Sequence, residues 1–193
     1  MISMLKKIYN YVIWKLNLYH LNKNRVSFHK DIKILGKLTV LNRGGCFLLG
    51  RNVIINSRYS ANPVGNGRQT GFFLKPKASL TIGDNVGISN ATIYCWKSIT
   101  IESDVLIGGG VQIYDSDFHS LGYEDRVLNG DKKIAVSPVK IEQGAFIGMN
   151  SIVLKGVTVG ARSIIGAGSV VTKSVPAGEI WGGNPAKFIK KVF

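Results

Sequence analysis

The chain has 193 residues, 23 of them glycine, and a formal net charge of +14. This length fits one domain with a substantial core. The two cysteines show neither metal-binding nor redox spacing, which favours a reduced, cytoplasmic protein over a disulfide scaffold. The basic residues are dispersed and form no platform with aromatic residues. This argues against nucleic acid and leaves an anionic membrane or a polyanionic small molecule as the partner.

Residues 1–22 are predicted to form an N-terminal helix, because apolar residues recur there at helical spacing with lysines between them. The longest uncharged run, Ile8 to Trp14, is too short to span a bilayer. No cleavable signal is predicted, since no small-residue cleavage site follows an apolar run. The helix either caps the first coil of the body or lies in the interface of a membrane that carries a lipid-linked glycan.

A weaker pattern of inward residues at Val40, Cys46 and Val53 suggests a ragged first coil. An irregular segment, about residues 58–78, follows and is expected to project as a loop. Its turn residues include Asn62, Pro63, Gly65, Asn66 and Gly67. Its rings and guanidinium, which suit a sugar face and an anionic group, are Tyr59, Arg68, Phe72 and Phe73. The alternative is an insertion with its own small apolar cluster.

Aliphatic residues then recur at intervals of six. Ile82 and Ile88 start this spacing, and Ile101, Ile107 and Ile113 continue it. The interval between Ile88 and Ile101 is thirteen residues, one more than two repeats. We therefore predict an enlarged corner near residues 94–97.

A second irregular segment, residues 114–138, interrupts the repeats and carries His119. If the segment is extended, Asp115, Asp117 and His119 point to one side and Phe118 to the other. A carboxylate beside an imidazole fixes its tautomer and stabilises the imidazolium, as a general base requires. His119 is thus the candidate base, with either Asp117 or Asp115 as the carboxylate that orients it.

From residue 141 to residue 175 the six-residue period is unbroken. The aliphatic positions are Ile141, Ile147, Val153, Val159, Ile165 and Val171. A short internal period is typical of stacked identical units. Three six-residue faces would close a triangular coil, with coils stacked about 4.8 Å apart and Gly, Asn or Asp at the corners, as at Asp84, Asn85 and Asn150. The pattern predicts an all-β fold, a parallel β-helix, rather than a sandwich, whose strands do not hold a six-residue register.

These repeats resemble the hexapeptide-repeat acyltransferase superfamily over residues 32–190. The resemblance implies a left-handed β-helix, although the general rule for parallel crossovers would give a right-handed one. The chain looks most like the short sugar O-acetyltransferases of polysaccharide, capsule or O-antigen biosynthesis. Such an enzyme uses acetyl-CoA and a saccharide acceptor, assembles as a homotrimer, and carries a catalytic histidine on a projecting loop, the position that His119 matches.

The donor site follows mainly from that resemblance. The stretch from Ile165 to Lys173 matches the family's last full coil, and the stretch from Gly182 to Lys187 matches its C-terminal turn. The implied cofactor-binding residues are Gly148, Ala167, Thr172, Lys173, Lys187 and Lys190. Backbone at Ala167 would hold the pantetheine arm, and the three lysines would approach the phosphates. Gly148 or Gly110 could supply an oxyanion donor.

The acceptor remains open between a saccharide hydroxyl and the amine of an amino-sugar nucleotide. Asn90, Tyr94 and Arg68 are the candidate acceptor contacts. A catalytically inert β-helical scaffold is the non-enzymatic alternative. A zinc enzyme of the same fold is disfavoured, because it needs three converging histidines, whereas His20 and His29 precede the repeats. We expect no metal.

Overall fold

The computed structural model describes residues 2–64 and 68–192, with side chains from Met4 onward. Met1, placed in the predicted helix, and the predicted turn residues 65–67 lie outside the described residues. Helix α1 (Ile2–Lys23) precedes a body built of short strands, and a short helix α2 (Tyr123–Val127) lies in the second loop.

The strands of the first three coils are β1 (Val26–Phe28), β2 (Lys33–Gly36), β3 (Thr39–Asn42), β4 (Cys46–Leu49), β5 (Ile54–Ser57), β6 (Gly71–Leu74), β7 (Ser79–Ile82), β8 (Gly87–Ser89) and β9 (Thr92–Cys95). The next three coils contain β10 (Ser98–Ile101), β11 (Leu106–Ile107), β12 (Gln112–Tyr114), β13 (Val139–Ile141), β14 (Phe146–Ile147), β15 (Ile152–Val153), β16 (Thr158–Val159), β17 (Ile164–Ile165) and β18 (Val170–Val171). The chain closes with β19 (Glu179–Gly183) and β20 (Ala186–Lys191).

From β1 to β15, each strand pairs with the strand three positions later in the chain, which lies one coil further along, so the strands form three sheets. The first sheet has the order β1-β4-β7-β10-β13-β16, the second β2-β5-β8-β11-β14-β17-β19-β20, and the third β3-β6-β9-β12-β15-β18. All pairings are parallel except that of β19 with β20. The predicted fold is confirmed: the body is a left-handed parallel β-helix.

The six-residue spacing places one aliphatic side chain of each strand in a shared interior column. Ile107 pairs with Ile147, which pairs with Ile165, and all three are buried. Each fully buried aliphatic side chain contributes about 1.5–3 kcal/mol relative to exposure. The column therefore supplies the main driving force for stacking the coils.

The corners bear out the predicted turn chemistry and the predicted enlargement. Asn85 and Asn150 have left-handed φ angles of 58° and 56°, a conformation that Asn tolerates better than most residues. Ile93 and Ile101 are eight residues apart, whereas Val153 and Val159, which align with them two coils on, are six apart. The enlarged corner therefore lies between β9 and β10, at residues 96–97.

The N-terminal coils differ from the prediction in three respects. The β-helix begins at Val26 rather than at residue 32. Cys46 faces outward and is exposed, and the buried residue is its neighbour Phe47. The first loop ends before β6, so Phe72, expected in the loop, is fully buried in the core. The aromatic run there follows strand alternation, which the turn residues before it obscured.

Helix α1 packs on the first coil through Ile13, Asn17 and Leu21, which are buried. The Asn17 side chain bonds to backbone groups of the first coil, as a neighbouring strand would. Its Nδ2 donates to Gly36 O at 2.7 Å, and its Oδ1 accepts from Leu38 N at 3.0 Å. Within residues 2–64 and 68–192, no helix is both long and apolar enough to cross a membrane.

Candidate active site

The second loop leaves the body at the corner between the third and first sheets, which we call the third edge. Its base is closed by an antiparallel bridge between Ser116 and Val136. On either side, Asp117 N donates to Ala135 O at 3.0 Å, and Ser137 N donates to the backbone O of Asp115 at 2.9 Å. The loop is therefore a ribbon with a fixed base rather than an unstructured insertion.

His119 stands at the far side of this ribbon, paired with Asp131. Its Nδ1 lies 2.6 Å from Asp131 Oδ2, and the other oxygen, Oδ1, accepts from Ser120 N at 2.6 Å. The His119 side chain is 71% exposed and that of Asp131 is 25% exposed. Because the ionised carboxylate accepts a hydrogen bond from Nδ1–H, it favours the tautomer whose Nε2 is free to accept a proton.

The Asp131 carboxylate is held in its ionised form. The Ser120 N–H and then the His119 ring lower the pKa of Asp131 to about 2. Its backbone is fixed as well, since Asp131 N donates to Asp125 O at 2.9 Å just after α2. Asp131 is therefore charged at neutral pH and positioned before any substrate arrives.

Neither predicted orienting carboxylate contacts His119. Asp115 is fully buried and accepts from the backbone N–H groups of the enlarged corner, Trp96, Lys97 and Ser98, at 2.7, 2.7 and 2.8 Å. Asp117 Oδ1 instead pairs with Lys155 Nζ at 2.6 Å. The assignment of Asp115 or Asp117 as the orienter was wrong, because the segment is not the extended strand that the alternation assumed.

Phe118 is the residue that breaks this alternation. Its φ is 62°, a left-handed conformation rare for a bulky side chain and found mainly where surrounding contacts enforce it. The ring packs edge-on against Tyr114, Tyr94 and Trp96, with centroids 5.1, 5.2 and 6.0 Å apart. Turning Phe118 into this cluster directs the following residue, His119, outward.

The cluster extends along the outer face of the third sheet, and we call it the aromatic patch: Phe73, Tyr94, Trp96, Tyr114 and Phe118. Phe73 stacks on Tyr94 with centroids 5.4 Å apart. A cation borders it, since Lys75 Nζ lies 4.4 Å from the Trp96 ring centroid. His119 therefore stands beside a partly exposed apolar surface with a basic rim.

Two of the three candidate acceptor residues lie at this patch. Tyr94 belongs to it. Arg68 lies near enough to act on Tyr114: burial raises the pKa of Tyr114, and the positive charge of Arg68 offsets part of that rise. Asn90 does not, because it is only 2% exposed. Its Nδ2 donates to Asn62 O and Val64 O at 3.1 and 3.2 Å. Asn90 holds the first loop in place and is not open to an acceptor.

Gly148 and Ala167 meet at the corner between the second and third sheets, the second edge. A Cβ on Gly148 would lie 2.6 Å from Ala167 N, so only glycine fits there. Gly148 N already donates to Ile165 O at 2.8 Å. That N–H is therefore not free to stabilise an oxyanion, which leaves Gly110 as the remaining candidate of the pair.

The other predicted cofactor residues are divided between edges. Thr172 and Lys173 follow β18 on the third edge, the edge from which the His119 loop projects. Lys187 pairs with Gly182 near the second edge, and Lys190 pairs with Ile180 at the other end of β20. All four side chains are exposed. A single chain thus presents these groups on separate surfaces rather than in one pocket.

Sequence reasoning missed Asp131, and it named Phe118 only as pointing to the side opposite His119. Asp131 lies 12 residues from His119, beyond an intervening helix, in a polar turn after Gly130. The loop holds three carboxylates besides Asp115 and Asp117, namely Glu124, Asp125 and Asp131, and nothing in the sequence distinguished Asp131 from the other two. No group of three or more metal-binding side chains occurs among the described residues.

The fold and the loop histidine define a β-helix protein with a candidate general base. A family profile described as the hexapeptide repeat of succinyl-transferase matches residues 79–115 and 138–173, on either side of the His119 loop. A hexapeptide-repeat acetyltransferase of Vibrio cholerae, solved with acetyl coenzyme A, is 32% identical, with a TM-score of 0.61 over 75% of this chain and 70% of that chain. The chain belongs to the hexapeptide-repeat acetyltransferase family.

More distant similarities show how varied the chemistry on this fold is. AntD, an N-acyltransferase from Bacillus cereus, shares the fold at 22% identity, with a TM-score of 0.70 over 90% of this chain and 88% of that chain. The mitochondrial gamma carbonic anhydrase 2 of Arabidopsis thaliana is 31% identical over 138 residues, which are 62% of this chain and 48% of that protein. The chain spans about half the length of the curated relatives it matches first.

Proposed function

We propose that the chain transfers an acetyl group from acetyl-CoA to a saccharide hydroxyl, as an O-acetyltransferase of surface polysaccharide biosynthesis. His119 Nε2 takes the proton from the hydroxyl as its oxygen attacks the thioester carbonyl. The tetrahedral intermediate then breaks its C–S bond, and the departing sulfur of coenzyme A takes the proton from the imidazolium. No covalent acyl-enzyme is needed.

The observation that carries this proposal is the His119–Asp131 pair. A general base needs one ring nitrogen held by a partner and the other open toward substrate. Here Nδ1 is held at 2.6 Å by a carboxylate that stays ionised, while the ring is largely exposed. Both conditions are met within one ribbon whose base is fixed to the β-helix.

A saccharide acceptor is supported by the aromatic patch beside His119. Sugar rings have apolar C–H faces that pack on aromatic rings, and Tyr94 and Trp96 offer such faces. The cations Lys75 and Arg68 at the rim would suit an acceptor that carries a carboxylate or phosphate. This assigns Tyr94 and Arg68 to acceptor binding, and it removes Asn90 from that role.

Binding of acetyl-CoA is supported by the positive charge of the chain and by exposed lysines. Lys173, Lys187 and Lys190 are proposed to approach the coenzyme A phosphates, and Thr172 and Ala167 to line its arm. These groups lie on different edges of one chain, so a site shared between neighbouring chains would unite them. We therefore propose that His119 faces coenzyme A bound between its own coil and a neighbour's, in a homotrimer.

An exposed apolar column on the second sheet supports such an assembly. Ile54, Leu106 and Phe146 are 37%, 55% and 42% exposed and lie on the same outer face. Covering them would remove apolar surface from water. Light scattering on Leu106→Glu tests this: its mass should drop to that of one chain if the column is the subunit contact.

The function is tested by thiol release from acetyl-CoA with a panel of saccharides. His119→Ala should lower turnover by about 10²–10⁴-fold, roughly 3–5 kcal/mol in activation free energy. His29→Ala is the matched control, because His29 is an exposed histidine outside the site, and its activity should be unchanged. An H119A variant that keeps more than half of the activity contradicts the assignment.

N-acetyl transfer to an amino-sugar nucleotide is the second candidate, because the same imidazole could deprotonate an amine. Alkali treatment of the product separates the two: an ester hydrolyses, whereas an amide persists.

No turnover with any acceptor would favour an inert scaffold. Hydration of carbon dioxide is less well supported, since His20, His29 and His119 lie on α1, after β1 and in the second loop. Flanking glycosyltransferase genes would support a surface-glycan role.

A further inference from the structure

Helix α1 packs on the body through one buried face and carries a second, apolar face that the body does not cover. The packing face consists of Ile13, Asn17 and Leu21, which recur every four residues and are buried on the first coil. The second face is solvent-exposed and consists of Leu5, Ile8, Tyr9, Val12, Leu16 and Tyr19. At 3.6 residues per turn, its centre lies roughly 130° around the helix from that of the packing face.

The second face, called here the α1 stripe, is unusually exposed for its composition. Leu5, Tyr9, Val12 and Tyr19 are 61%, 54%, 48% and 58% exposed. Single exposed apolar residues are ordinary on a protein surface, but a continuous stripe over four turns marks a contact surface. Nothing in the described part of the chain covers it.

The charge of the helix indicates what covers the stripe. Between residues 2 and 23 there is no Asp or Glu, while Lys6, Lys7, Lys15 and Lys23 are all present, and the first carboxylate of the chain is Asp31. A second copy of this helix would place lysines against lysines. An anionic surface instead offers opposite charge together with an apolar layer into which the stripe can insert.

We propose that α1 binds the surface of an anionic lipid bilayer. The stripe lies in the boundary between headgroups and acyl chains, and Lys15 and Lys23, the two lysines nearest to it around the helix, contact lipid phosphates. Ile13, Asn17 and Leu21 keep the helix attached to the first coil, so the β-helix is held at the surface by its N-terminal end. Tyr9 and Tyr19 suit this position, because a tyrosine ring is apolar and its hydroxyl is polar.

The test is sedimentation of the full chain with vesicles, either of phosphatidylcholine alone or with one-quarter phosphatidylglycerol. The chain should sediment with the anionic vesicles, less so as salt rises, and at most weakly with the neutral ones. The double variant L5E/V12E should lose at least ten-fold in binding. Both side chains are exposed, so the fold should persist, which thermal unfolding checks.

A control variant separates the stripe from the general positive charge. L121E/L128E makes the same change of charge and polarity at two other exposed leucines, 77% and 72% exposed, on the second loop, and should bind as the unmodified chain does. The proposal is overturned if the unmodified chain does not sediment with anionic vesicles, or if both variants lose binding equally. It is also overturned if L5E/V12E binds normally but has a smaller assembly mass, since the stripe would then contact a second copy.

Discussion

His119 Nδ1 lies 2.6 Å from Asp131 Oδ2, although a helix and a turn separate the two residues in sequence. In the proposed mechanism, this carboxylate orients the ring and stabilises the imidazolium that forms when Nε2 takes a proton. We predict that Asp131→Asn lowers kcat by at least about 10-fold, because an amide neither holds the Nδ1–H tautomer nor stabilises the imidazolium as a carboxylate does. The KM for acetyl-CoA should change little. Steady-state thiol release measures both constants.

Asp117→Asn is the matched control for this prediction, because Asp117 pairs with Lys155 rather than with His119. Its kcat should stay within about threefold of the unmodified enzyme, a range far smaller than the effect of a general base, since Asp117 does not contact His119 and the Asn oxygen can still accept from Lys155 Nζ. If D117N proves as damaging as D131N, or if D131N keeps full activity, Asp131 is not the positioning residue.

The repeats of the body were predictable, and the geometry of the loop was not. A register such as Ile141, Ile147, Val153 is a local property, because each strand repeats the same inward position. The partner of His119 depends on the path of a single loop, which one residue can redirect. Phe118, in its left-handed conformation, did so, and it separated His119 from Asp115 and Asp117. Sequence reasoning therefore found the candidate base but not the carboxylate that pairs with it.

Gly148 and Gly166 occupy equivalent positions in successive coils but differ in the space beside them. A Cβ on Gly148 would lie 2.6 Å from the backbone atoms Ala167 N and Ile165 O, whereas one on Gly166 would lie 3.5 Å from its nearest neighbour, Trp181 O. We predict that Gly148→Ala destabilises the protein by about 1–3 kcal/mol, because backbone cannot easily move aside.

Gly166→Ala should instead be neutral or stabilise by up to about 1 kcal/mol, because alanine restricts the unfolded chain. Neither glycine has a left-handed φ, so conformational strain does not separate them. Urea unfolding of both variants decides the matter. Equal free energies of unfolding for the two variants would mean that the coils do not approach as closely at Gly148 as the structure shows.

Asp115 contacts the enlarged corner rather than His119. Its carboxylate accepts from three successive backbone N–H groups, those of residues 96–98, in a fully buried position. Replacement by Asn turns one acceptor into a donor and leaves at least one N–H unpaired. We predict that Asp115→Asn lowers the free energy of unfolding by more than about 2 kcal/mol, since each buried unpaired group costs about 1–3 kcal/mol.

Asp31→Asn makes the same chemical change at an exposed carboxylate. Its effect should stay within about 0.5 kcal/mol, the usual range for a surface substitution. Urea unfolding at neutral pH compares the two variants. A D115N protein as stable as D31N would show that the corner does not depend on this carboxylate.

Cys95 and Cys46 should differ sharply in reactivity. Burial, and then the negative charge of Asp115, raise the pKa of the Cys95 thiol to about 12, whereas Cys46 is exposed on the outer face of the first sheet. Alkylating reagents attack the thiolate and need access to it. At pH 8, iodoacetamide should therefore add one group to the native protein, at Cys46, and two groups after denaturation. Mass spectrometry of tryptic peptides locates the label.

The same raised pKa gives a stability prediction with a definite sign. The folded state holds the Cys95 proton more tightly than the unfolded state, whose thiol has the ordinary pKa of 9.0. This contribution to stability is complete below pH 9 and is lost as pH rises toward 12. Between those values the free energy of unfolding of Cys95→Ala should fall less steeply than that of the unmodified protein. Parallel curves, or labelling of Cys95 in the native state at pH 8, would show that the thiol is not buried beside Asp115.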